Sequence, residues 1–172
     1  MEDETHNSVL TDRFTRHLIV AMYQKSIEQS SEVRHFRARA DSFFAAARDL
    51  SELEPTEEAS GTHSYRPAVG LLAVHCCIAL ADAVLVATEG ERGKRQDHAE
   101  AARRLDSLCT VHKIDRRGLK HFKWLLRNKN RFAYDNSRVE PAEFVDAKIK
   151  MEQFYAWVYE QFPKLAEGAD DA

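Results

Sequence analysis

Between Val69 and Ala87 only His75 and Asp82 are strongly polar, and the rest of Pro67–Thr88 is apolar nearly all the way round. A helix with no polar side has nowhere to go but the middle of a helical assembly, wrapped by other elements. Pro67 suits its first turn, where the missing N–H costs nothing, and Gly90 and Gly93 end it. This one segment predicts a central helix and requires the remaining chain to enclose it.

The enclosing segments are legible by spacing. Ser31 stands as an N-cap before Val33, Phe36, Ala40, Phe43, Ala47 and Leu50, an apolar stripe recurring at three and four. Asp97 with Glu100 resembles a capping box, followed by Ala101, Leu105 and Leu108. Asp115 is the expected cap of a further helix whose stripe is Leu119, Phe122, Leu126 and Ala133. Pro141 opens the last, with Phe144, Ala147, Met151, Phe154 and Val158 inward. An earlier helix is expected from the Thr11 cap to about Gln29, lined by Phe14, Leu18, Ala21 and Met22. Glu52–Ser64, with Pro55, Gly61 and many acids, reads as a mobile loop. Six Gly and four Pro in 172 residues are too few for a turn-rich sheet protein, and no segment alternates as a strand would. The expected fold is an all-α, up-and-down helical bundle. Residues 1–30 form a tail and an additional N-terminal helix, 31–166 the bundle, and 167–172 an acidic tail.

Composition narrows the function classes. No apolar run approaches the roughly 20 residues that span a bilayer, and MEDETHNSV is not a secretory start, so no membrane role is expected. Three cysteines, two of them the neighbours Cys76 and Cys77, do not form a disulfide framework, which points to the cytoplasm. Neither CxxC nor HExxH occurs, so neither a metal nor a cofactor is expected.

The charge is unevenly spread. Lys113–Arg131 carries eight Lys or Arg against Asp115 alone, a net +7 in a chain of net −3, leaving −10 elsewhere. Such a concentration is the footprint of a polyanion partner. At about 100° per residue, Lys120, Lys123, Arg127, Asn130 and Tyr134 share one helical face. Lys and Arg there neutralise phosphates, Asn130 and Tyr134 hydrogen-bond a sugar or base, and Asn128 and Arg131 complete the expected RNA-binding set. The competing reading is a solvated basic face that balances acids elsewhere. Trp124 and Phe132 are stacking surfaces or core. His75 and Asp82, seven apart, are either a satisfied core polar pair or, more pointedly, Asp82 orients Arg127 from the neighbouring helix. His112 and His121 are surface histidines or candidates for a general base.

Three stretches resemble the HEPN superfamily of helical-bundle proteins, known for ribonuclease toxins and RNA-processing or defence proteins. HFRARADSFFAAARDL is similar to that family's first helix, and HCCIALADAVLVATEGERGKRQDHAEAARRL to its second helix, loop and third-helix start. LLRNKNRFAYDNSRVEPAEFVDAKIKMEQFYAWV resembles the motif helix, turn and last helix. Active members carry Arg, a polar residue, four to six further residues and His; here Arg127-Asn128 is followed at that distance by Tyr134. A second register, Lys129-Asn130 to Tyr134, matches the spacing but replaces both ends. The resemblance implies a homodimer paired through the motif helices, with an antitoxin or nucleotidyltransferase partner in a toxin–antitoxin, defence or stress system. With Tyr where the family has His, the expectation is a non-catalytic RNA- or nucleotide-binding module. The alternative is a metal-independent ribonuclease acting through Arg127 and Tyr134 at a dimer interface, against which stands the weakness of tyrosine as a base near neutral pH.

Overall fold

The computed structural model describes residues 31–55, 64–90, 98–134 and 138–165, all helical or connecting. The expected Thr11–Gln29 helix, the Asp97 cap, the Asp135–Ser137 turn and the acidic tail lie outside the described residues. Five α-helices follow one another: α1 (31–52), α2 (Arg66–Glu89), α3 (His98–Val111), α4 (Leu119–Tyr134) and α5 (Pro141–Gln161), then a 3₁₀ turn Pro163–Leu165.

As its composition demands, α2 is the hub. From Val69 to Val86 all but Leu71, Leu72, His75 and Asp82 are buried. Contrary to the expectation that no apolar run is that long, it meets the length and composition of a bilayer-spanning helix, but 78% of its most apolar stretch is buried within the bundle. Its neighbours accept that burial with matching surfaces. A Cβ on Gly70 would lie 2.4 Å from Phe132 Cδ1, so only glycine lets α4 settle this close to α2. Gly118 is the same device against the Trp157 indole, at 2.2 Å. Gly90 ends α2 in the left-handed conformation, at φ 75°.

Contacts between helices fix their directions. Phe132 on Gly70, a turn or so from opposite ends, sets α4 antiparallel to α2. Glu143 meets Arg131 while Phe154 stacks on Phe122 at 4.9 Å, so α5 is antiparallel to α4. Asp41 of α1 accepts hydrogen bonds from Tyr155 (2.7 Å) and Tyr159 (3.2 Å), and Arg37 donates to the Leu165 carbonyl at 2.7 Å, so α1 is antiparallel to α5. Burial, then Asp41, pushes the Tyr159 hydroxyl up to about 12. The four long helices thus run alternately up and down. The shorter α3 braces the C-terminal end of α2 and the start of α4 through Arg104–Glu89 and Lys123–Asp106.

Sequence and structure differ at three junctions. Helix α4 begins four residues after Asp115, whose carboxylate instead accepts the Arg117 N–H at 2.8 Å in the turn leading in. Lys113, counted with the basic segment, closes α3. Its φ is 53°, with Ile114 N–H donating to Cys109 O at 2.9 Å and Lys113 N–H to Thr110 O, a Schellman arrangement. Glu54 lies inside the stretch expected to be a mobile loop, yet it is fixed. Its carboxylate accepts from Ser64 (2.9 Å) and the Tyr65 N–H (2.7 Å), and Arg66 Nε approaches at 2.7 Å. Both side chains are about nine-tenths buried, and the guanidinium reaches on to the Val139 carbonyl at 3.4 Å. The start of α5 is held by the Glu140 N–H donating to Glu143 at 2.8 Å.

Candidate nucleic-acid interface

Helix α4 buries Leu119, Phe122, Leu125 and Phe132 and turns Lys120, Lys123, Arg127 and Arg131 away from them. The long reach of Lys and Arg lets several of them fold back on neighbouring helices. Lys123 Nζ donates to Asp106 of α3 at 2.7 Å, and Arg116 pairs with the same carboxylate. The Lys123 hydrogen bond is the main reason the Asp106 carboxyl is held below the usual range. Arg131, on the other edge of the face, forks onto Glu143 of α5 with two contacts of 3.0 Å and adds the Arg138 carbonyl at 2.7 Å. The Asn128 amide donates to Trp124 O of its own helix at 2.9 Å. Lys123, Asn128 and Arg131, all expected to touch RNA, are therefore engaged within the chain.

The remainder form a ridge. Lys120, Arg127, Asn130 and Tyr134 are exposed, Tyr134 to 78%, and have no hydrogen-bond or ion-pair partner through their side chains among the described residues. Lys120 to Tyr134 spans about 21 Å along the helix at 1.5 Å per residue. Lys123 ties one edge of α4 to α3 and Arg131 ties the other to α5, so the ridge stands between two fastened flanks.

The proposed orienting contact from Asp82 to Arg127 does not form: Arg127 has no partner among the described residues, and Asp82 has its interactions elsewhere. Nor are His75 and Asp82 a pair. Two helical turns separate them by about 10.5 Å, and His75 instead packs its ring on Phe43 of α1, 5.6 Å between centroids. Trp124 and Phe132, the two offered as stacking surfaces, both pack against the bundle. Phe132 is covered by Gly70, and the face of Trp124 is taken by Lys150, whose ammonium sits 4.6 Å from the ring centroid. Cys76, Cys77 and Cys109 are free and buried, and burial pushes the Cys109 thiol up to about 11, which leaves it unreactive. Among the described residues no three His, Cys, Asp or Glu side chains gather as metal ligands.

A cleft of about 350 Å³, which nothing in the sequence marked, opens at the opposite end of α4 from Tyr134. Arg117, Lys120 and His121 line one wall and Gln153, Trp157 and Glu160 the other. Burial, then Lys120 and Lys150, lowers His121 below the usual imidazole value. Arg117 is neutralised by Glu160 and Asp115, so the cleft is less cationic than its lining suggests.

No protein-family model, curated protein or solved structure matches this chain.

Proposed function

We propose that the chain is an RNA- or nucleotide-binding module that uses the exposed ridge of α4. The observation that carries this is the separation of its cations. Lys123 and Arg131 are spent on holding the helix in place, whereas Lys120 and Arg127 stand solvated, without a counter-charge among the described residues, on one line with Asn130 and Tyr134. Solvated cations at helical spacing follow a phosphate backbone, and the amide and phenol supply donors for sugar or base. The HEPN resemblance of the same segment supports the same ligand. On that resemblance the protein is a homodimer whose two ridges meet. The ribonuclease alternative is the weaker reading because tyrosine is a poor base near neutral pH and Tyr134, 78% exposed, has no side-chain hydrogen-bond partner among the described residues.

Binding of fluorescent single-stranded RNA, followed by anisotropy across a salt series, tests the reading. Affinity should fall steeply with salt, and Lys120→Glu with Arg127→Glu should flatten the log–log slope by about 1.4, since each phosphate contact to a single strand contributes roughly 0.7. A salt-independent affinity, or a double variant that binds like wild type, would reject it. Cleavage of total RNA by wild type, lost in both Arg127→Ala and Tyr134→Phe, would replace the binder with the ribonuclease.

A further inference from the structure

The side of α4 opposite Arg127 carries a second cation with different surroundings. Lys129 lies about 200° round the helix from Arg127 and is half-buried against α2. The packing of Phe132 on Gly70 sets the register, so Lys129, about a turn back along α4, comes level with His75, just over a turn on along α2. From the other side, Arg39 of α1 sits 5.5 Å from the Phe43 ring centroid, and Phe43 packs on His75. Three helices therefore direct an exposed guanidinium, a half-buried ammonium and a half-buried imidazole toward one part of the surface, with the Phe43 ring next to both Arg39 and His75. No carboxylate pairs with Arg39 or Lys129 among the described residues, and Asp82, on the same helix as His75, is two turns away. The positive field is felt by His75, which burial and then Lys129 and Arg39 lower below the usual imidazole value.

Elsewhere in this protein converging cations are answered by acids: Arg66 by Glu54, Lys123 by Asp106, Arg131 by Glu143. Here the answering group is absent from the described chain. We infer that Arg39, His75 and Lys129 form a phosphate-binding site at the junction of α1, α2 and α4, separate from the ridge. Donors arriving from three helices suit a tetrahedral oxyanion, which accepts from several directions, better than a planar carboxylate. The half-buried setting, with Leu71 and Leu72 beside His75 on the partly open side of α2, strengthens each charge contact relative to open water.

Histidine-ring NMR titrations on the full chain, at constant ionic strength, test this with inorganic phosphate and with adenosine monophosphate. Phosphate should raise the His75 pKa by about one unit or more, because an opposite charge within hydrogen-bond range favours the imidazolium. His112 should not move. Arg39→Ala with Lys129→Ala should raise His75 in the absence of phosphate and abolish the response to it. The mononucleotide acting at lower concentration than phosphate would assign the source as a nucleotide, and equal potency would assign the phosphate group alone. A His75 unmoved by both ligands at millimolar concentration, a response that survives the double variant, or a response at His121 instead would overturn the site. Lys120→Glu with Arg127→Glu should leave the His75 response intact, so failure of the ridge and failure of this site are separately visible.

Discussion

Arg66 and Arg127 carry the same guanidinium, and the bundle uses them in opposite ways. Arg66 is 8% exposed, against a Glu54 carboxylate that also gathers Ser64 and Tyr65 and within reach of the α5 entry. It joins the end of α1, the start of α2 and Val139, two residues before α5, around one charge pair. Arg127 is exposed and has no partner among the described residues. A buried ion pair is costly to form and costlier to halve, because removing one member strands the other in a low-dielectric interior. An exposed cation on a helix is nearly free to remove and free to meet a ligand. The same residue type is thus structure in one place and binding surface in another, and its partner decides which.

Glu54→Ala should give the largest effect, a loss of about 3–5 kcal/mol of stability in chemical denaturation, because Arg66 is left buried without its carboxylate. Arg127→Ala under the same conditions should stay within about 0.5 kcal/mol. Equal costs for the two would erase the distinction between them. Truncating Asp41 tests an intermediate case, since the carboxylate is partly exposed but accepts two phenolic donors that fasten α1 to α5. Asp41→Ala should cost about 2 kcal/mol, with Asp41→Asn recovering part of it, on the scale of hydrogen bonds to a charged group. A neutral Asp41→Ala would mean that packing of Phe44 on Tyr155, at 4.2 Å, holds α1 without the network.

A smaller effect than at Asp41, though larger than at Arg127, is expected at Asp106. Its carboxyl is held low by Lys123 and Arg116, so the folded pKa is below the unfolded one. The stabilisation is therefore complete above the ordinary carboxylate value near 4 and is lost as the pH falls through the lower folded value. Asp106→Asn should cost about 1 kcal/mol at neutral pH, discounted for the exposure of both cations, and the difference from wild type should close in strong acid. A difference that persists unchanged in acid would show that Asp106 acts by shape or neutral hydrogen bonding.

What could be read from the sequence was what depends on neighbours along the chain. The all-round apolar Pro67–Thr88 segment announced the central helix, the three-and-four spacing of Val33 to Leu50 and Phe144 to Val158 announced two of its wrappers, and Pro141 marked an entry; periodicity and capping act within a few residues. The outward direction of Lys120, Arg127, Asn130 and Tyr134 followed from helical geometry in the same way. Which cations remain available did not, because Lys and Arg reach several ångströms and their partners are set by how helices pack. Lys123 finds Asp106 17 residues back, Arg131 finds Glu143 12 ahead, and Arg66 touches Val139 73 away. The meeting of Arg39, His75 and Lys129 is of the same kind. Three residues on three helices share no spacing, and only the seating of Phe132 on Gly70 and of Phe43 on His75 brings them together. Local order is written in the chain's periodicity, whereas the pairing of charges belongs to the tertiary structure, where Coulomb energy depends on distance in space and not along the sequence.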